Sequence, residues 1–224
     1  MGKTKVIMVR HGETEWNVLC RFLGSKDLPL NEKGRRQAGY AKAALENEKL
    51  DVVYSSPMRR AYETAEIICS DRDIKIQTDD GLREIACGAW EGLNGHEVEE
   101  KFPGQIELWG NRPAELRIEG GDTFAEVQER MMDAFWRIVH ANRGKTILIT
   151  AHMICLSLLM IYFDGKEIND MWNVPPLGNA ALNILEVDED DRVEIVAWSD
   201  DSFVPEEDKK GSALVAGRNY IDEE

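Results

Sequence analysis

Cysteine pairs at redox or metal spacing are missing from this sequence. Its four cysteines, Cys20, Cys69, Cys87 and Cys155, stand far apart, so neighbours in the chain build neither a CxxC redox motif nor a thiolate zinc site. Reduced thiols in a cytoplasmic protein are the economical reading. A basic surplus is missing too. Lys and Arg number 27 against 42 Asp and Glu, a formal net charge of −15 in 224 residues. That balance argues against a nucleic-acid partner and against anionic membrane surfaces. Long apolar runs are equally scarce. The N-terminal run covers only residues 6–9, too short for a signal peptide or a membrane span. Myristoylation at Gly2 prefers Ser or Thr at position 6, where Val6 stands.

Hydrophobic residues make up 43% of the chain, which suffices for a substantial core and excludes disorder over most of its length. No internal repeat or linker interrupts it. Short apolar runs and amphipathic stretches alternate. Strands are expected near residues 5–9, 52–54, 74–77, 146–150, 180–187 and 193–198. Helices are expected over residues 32–47, capped by Asn31, from Ser56-Pro57 to about Cys69 with Pro57 in the first turn, over 124–141, and over 153–163. This alternation predicts an α/β three-layer sandwich, with a mostly parallel central sheet flanked by helices. Residues 86–120 are less regular and read as an insertion or cap within one domain covering 1–204. From Pro205 onward the chain reads as a solvated acidic tail. Residues 186–224 hold 14 Asp and Glu against four Lys and Arg.

Three expected strands end in groups suited to anion chemistry. Arg10 and His11 follow the first, Ser55 to Arg60 follow the second, and Ala151-His152 follow the strand at 146–150. In a doubly wound sheet, residues just past the carboxyl ends of parallel strands converge on one crevice. Two histidines and up to three arginines meeting there would repel one another unless an anion such as phosphate joined them. Arginine pairs bidentately with phosphate oxygens, a neutral imidazole can attack phosphorus, and a helix starting after His152 adds backbone donors. Glu84 lies in an apolar, loop-like segment and is the best candidate for the acid that protonates a leaving oxygen. Taken singly, each of these residues could equally be an ordinary core or surface side chain.

The combination resembles a known family. Residues 9–17, VRHGETEWN, resemble the RHGE(S/T)xxN signature of the histidine phosphatase superfamily, in the branch that holds cofactor-dependent phosphoglycerate mutases and their phosphatase relatives. The RHGxRxP form of the acid phosphatase and phytase branch is not present. Residues 21–30, RFLGSKDLPL, are similar to that branch's RFxGxxDxPL loop. Residues 56–65, SPMRRAYETA, 82–92, LREIACGAWEG, and 150–152, TAH, match further family segments in the same order. The resemblance implies a phosphoglycerate mutase-like fold and a small phosphorylated metabolite as partner, handled without metal or cofactor by a monomer or homodimer. It implies that His11 is the phosphorylated nucleophile and that Arg10, Arg60 and His152 bind the phosphoryl group. Arg60 takes that role over Arg59 because it directly precedes Ala61. Glu84 becomes the proton donor, and Asn17, Gly24 and the backbone of Met153 complete the substrate site. Leu23 stands where the family often has Thr or Gln, which implies one phosphate hydrogen bond fewer. Met153 and Ile154 stand where glycines are frequent, which implies a narrower pocket.

Three activities fit this set. A monoester phosphatase is favoured over a mutase, because the stretch 92–121 offers only Lys101, Arg112 and Arg117 among six glutamates. A bisphosphate that reorients in the site needs several cations at once. The third reading is a non-catalytic phosphate-binding module on the same fold, against which stands the intact set of Arg10, His11, Arg60, Glu84 and His152.

Overall fold

The apolar run near the N-terminus becomes the central strand of the fold. The computed structural model describes residues 2–209. In chain order it contains β1 (Thr4–Arg10), α1 (Glu15–Val18), α2 (Glu32–Ala44), β2 (Val52–Ser55), α3 (Arg59–Ile68) and β3 (Ile76–Thr78). There follow α4 (Gly95–Lys101), α5 (Gln105–Asn111), α6 (Phe124–Ala141), β4 (Thr146–Ala151), α7 (Met153–Phe163), β5 (Leu182–Val187), β6 (Val193–Asp200) and α8 (Glu206–Lys209).

The strands form one sheet in the order β3-β2-β4-β1-β5-β6. The pairs β3/β2, β2/β4 and β4/β1 are parallel, whereas β5 and β6 run antiparallel to their neighbours. Side chains of a strand alternate between faces, and β1 uses both. Val6 and Met8 enter one apolar cluster with Met131 and Phe135 of α6 and Leu156 and Leu159 of α7. Ile7 and Val9 enter a second cluster with Ala41 of α2 and Ala65 and Ile68 of α3. The sheet is therefore covered on both faces, as the α/β sandwich reading requires.

Residues 86–120 share the core of α6 and α7 and have no core of their own. Trp90 and Trp109 are buried there with Phe22, and the Phe22 and Trp90 rings lie 4.9 Å apart. One boundary differs from the sequence expectation. Helix α3 starts at Arg59, two residues beyond Pro57, because its first N–H is capped from outside by Asp27 Oδ1 at 2.6 Å, while Ser56 serves the site described below. Within the acidic segment expected from Pro205, Glu206 and Glu207 are exposed but Asp208 is not. Asp208 is only 4% exposed, since Arg36 donates to its carboxylate through Nε and Nη2 at 3.1 and 2.6 Å. Residues 210–224 of that expected tail lie outside the described residues.

The turn after β1 packs against the start of α2 through two glycines. A Cβ on Gly12 would lie 2.3 Å from the Gly34 carbonyl oxygen, and one on Gly34 would lie 2.1 Å from that of Glu13. Both clashes are with backbone, which cannot rotate away. Gly34→Ala should therefore cost about 3 kcal/mol in overpacking, more than the roughly 1 kcal/mol that alanine gains inside a helix. The expected net effect is a Tm lower by roughly 4–8 °C for a domain of this size. A thermal melt at or above the wild-type Tm would refute the close-approach argument.

Candidate active site

The parallel strands point their carboxyl ends to one edge of the sheet, where Arg10 pairs in register with Ala151 and Ser55 with Thr150. The next residues, His11, Ser56 and His152, leave the sheet side by side. Arg60 joins them from the first turn of α3. Arg10, His11, Arg60 and His152 are 2%, 3%, 0% and 0% exposed, so four nitrogen-rich side chains share one buried corner. The His11 and His152 rings lie 5.2 Å apart.

Hydrogen-bond partners set the tautomers. His11 Nδ1 lies 2.7 Å from the Gly12 carbonyl oxygen. A carbonyl can only accept, so Nδ1 carries the proton and the lone pair resides on Nε2. Burial, then Arg60 and Arg10, hold the His11 pKa well below its ordinary value, which keeps the ring neutral at pH 7. His152 takes the opposite tautomer. Arg60 Nε, which can only donate, is 3.2 Å from His152 Nδ1, so Nε2–H is left to donate to Ser56 Oγ at 2.8 Å. Burial and then Arg60 also lower the His152 pKa well below the ordinary range.

Arg60 is anchored by the loop that precedes α2. Nη1 donates to the Lys26 carbonyl at 2.7 Å and Nη2 to that of Gly24 at 3.1 Å. Burial lowers its pKa to about 10, which still leaves it charged at neutral pH. Gly24 adopts φ +52, and a Cβ there would lie 2.4 Å from Glu91 Oε1. Glu91 in turn accepts from Ser25 N–H and Oγ, both at 2.7 Å. Gly24, expected among the substrate-binding residues, thus gives its carbonyl to Arg60. Arg10 donates through Nη1 to the Leu177 carbonyl.

Glu84 reaches the same corner from the loop before residues 88–90. Its Oε2 accepts from Ile154 N–H at 3.2 Å and its Oε1 from Cys155 N–H at 3.3 Å. These are first-turn donors of α7, which have no partners within the helix. Two of the backbone donors at the helix start expected after His152 are thus taken by the candidate acid, and the N–H of Met153 is not one of them. Met153, the first residue of α7, is buried beside them. Asn17 uses its side-chain carbonyl to accept from Thr14 N–H and Oγ1, each at 3.0 Å, and neither bond uses its NH₂ group. In the cap, Arg112 is paired with Glu115, and Arg117 donates to the Ala114 and Leu116 carbonyls.

Sequence reasoning missed Ser56, Glu91 and Gly34. Ser56 and Glu91 stood inside quoted motifs without a role. Gly34 carried a signal of its own, an isolated glycine within a helical pattern, which usually marks close packing.

Fold and site together bring two histidines and two arginines into one buried corner at the carboxyl edge of a parallel sheet, a cluster suited to an anion. A profile of the histidine phosphatase superfamily (branch 1) matches residues 6–201, and the chain belongs to that family. It is 30% identical over 185 residues to phosphoserine phosphatase 1 of Hydrogenobacter thermophilus, covering 83% of this chain and 87% of the relative. It is 32% identical over 206 residues to the metal-independent phosphoserine phosphatase of Arabidopsis thaliana, covering 90% and 83% respectively. The solved structure of Bacillus stearothermophilus YhfR is similar at a TM-score of 0.87 and 35% identity, covering 90% of this chain and all of that one. The protein is a histidine-type phosphomonoesterase.

Proposed function

We propose that this phosphatase hydrolyses a small alkyl phosphate monoester by way of a phosphohistidine on His11. One observation carries the assignment: a neutral His11 with its lone pair on Nε2, set beside two buried guanidinium groups. In the first step Nε2 attacks phosphorus, the ester P–O bond breaks, and Glu84 gives its proton to the departing oxygen. In the second step water attacks phosphorus, the P–N bond breaks, Glu84 recovers a proton from the water, and inorganic phosphate leaves. Arg10 and Arg60 neutralise the equatorial oxygens throughout, the role that metal ions fill in other phosphoryl-transfer sites. The NH₂ of Asn17 holds the same oxygens, and the Nε2–H of His152 joins it once released from Ser56 Oγ.

The cap supports one phosphate over two. Arg112 and Arg117 are satisfied by neighbours in their own segment, so they form no ready second cluster for a bisphosphate. Phosphoserine is the first substrate to test, because relatives at 30% and 32% identity are named for it. The buried thiols of Cys69, Cys87 and Cys155 suit a reducing compartment, and we place the enzyme in the cytoplasm.

The test is a phosphate-release screen in EDTA over phosphoserine, sugar phosphates, phosphoglycerates and nucleotide monophosphates. Interconversion of 3- and 2-phosphoglycerate, with and without 2,3-bisphosphoglycerate, is measured beside it. Phosphate release from a monoester is expected to dominate. Interconversion faster than release for every substrate would overturn the proposal.

A further inference from the structure

The nucleophile loop is tied to the C-terminal turn through one buried side chain. Gln37 of α2 is fully buried. Its Oε1 accepts from Glu13 N–H at 2.8 Å, and its Nε2 donates to the Asp208 carbonyl at 2.8 Å. Glu13 N–H belongs to the same peptide unit as the Gly12 carbonyl, the group that accepts from His11 Nδ1. A trans peptide is planar, with its C=O and N–H pointing in opposite directions. Fixing the N–H on Gln37 therefore aims the carbonyl at the imidazole.

The order of these bonds is set from the far end. Nε2 of an amide only donates and Oε1 only accepts, so the Asp208 carbonyl dictates which way Gln37 faces. A flipped Gln37 would set its NH₂ against Glu13 N–H, donor against donor. Asp208 is in turn anchored through its carboxylate, which accepts from Arg36 and from Tyr40 Oη–H, the latter at 3.1 Å. This turn lies beyond the residues that match the family profile, which end at 201.

We infer that Gln37 is a positioning residue for phosphoryl transfer, oriented by the C-terminal turn at Asp208, and that it fixes the ring and the tautomer of His11 through the Gly12–Glu13 peptide. The inference rests on the reading of His11 as nucleophile. Bonds in such a chain polarise one another, so donation by Glu13 N–H also strengthens the Gly12 carbonyl as an acceptor.

The test uses full-length Gln37→Met, which keeps the volume and removes both hydrogen bonds. Phosphorylation of His11 in a single turnover should slow by about 10- to 100-fold, the range seen when an orienting partner behind a functional histidine is lost. The ¹⁵N spectrum of His11 should change from a single Nδ1–H tautomer to a mixture. The inhibition constant for inorganic phosphate should stay unchanged, because Arg10 and Arg60 are untouched. Asp208→Ala should move rate and tautomer in the same direction by a smaller amount. A folded Gln37→Met with the wild-type rate, or a slowed one that keeps the single tautomer, would overturn the inference. Should Gln37→Met fail to fold, an Asp208→Ala protein with wild-type rate and tautomer would overturn it equally. Label trapped on a residue other than His11 in the wild type would overturn the nucleophile reading and with it the role of Gln37 in phosphoryl transfer, whereas a single tautomer kept in Gln37→Met would overturn the orientation of His11 by Gln37 alone.

Discussion

His11→Ala should abolish turnover, with a loss on the order of 10⁴-fold or more in kcat, as expected when a covalent route disappears. Rescue by the neighbouring imidazole is not expected. His152 lies 5.2 Å from His11, ring to ring, but its one lone pair is engaged by Arg60 Nε and its remaining N–H by Ser56. Neither nitrogen is a nucleophile in that state. Brief incubation of wild-type protein with ³²P-labelled substrate should trap an acid-labile, alkali-stable adduct on His11, and the variant should trap none. The pH dependence follows from the lowered pKa of His11. Its neutral, attacking form persists well below pH 6.5, so the acidic limb of kcat/KM that belongs to His11 falls far below that value. A limb near pH 6 would instead belong to the second ionisation of the substrate phosphate, at about 6. A wild-type adduct on any other residue would end the assignment.

Much of this site was legible because strands buried on both faces are unusually plain in sequence. Residues 6–9 and 147–149 are continuous apolar runs, and Arg10-His11 and His152, at or just past the ends of their strands, had to lie at the carboxyl edge of a parallel sheet. The partners of those groups were not legible, because they are backbone atoms from distant segments. Nothing in composition or periodicity reveals that Arg60 is held by the carbonyls of Gly24 and Lys26, or that Glu84 occupies the N–H groups of Ile154 and Cys155. The burial of Asp208 was not legible for the same reason. A run of Pro205, Glu206, Glu207 and Asp208 looks solvated until Arg36 and Tyr40 are brought to it across the fold. Charge patterning describes what a segment contains, and only tertiary structure supplies the counter-charge that buries it.

Glu84→Gln should separate the two substrate classes. When the His11–phosphorus bond forms, an alkyl substrate must expel an alkoxide, which needs a proton, whereas para-nitrophenolate leaves as a much weaker base. Loss of the proton donor should slow the alkyl substrate by roughly 10²- to 10⁴-fold, the usual range for general acid catalysis, and slow phosphorylation by para-nitrophenyl phosphate far less. The dependence of rate on leaving-group basicity should steepen accordingly. A structural role predicts a different pattern. Both carboxylate oxygens accept from the first turn of α7, and glutamine can place only one acceptor there, leaving an N–H group poorly satisfied at a cost of about 1–3 kcal/mol. Misplacement of α7 would shift His152 and penalise both substrates alike. Equal losses in single-turnover phosphorylation would therefore remove Glu84 as the acid. The role would not pass to Glu13, which is only 2% exposed and already receives Asn31 Nδ2–H at 2.9 Å and Lys33 Nζ at 3.2 Å. The proton would then have to come from water or from the substrate itself, and Glu84→Ala, which removes both acceptors from the first turn of α7, would slow both substrates further and alike.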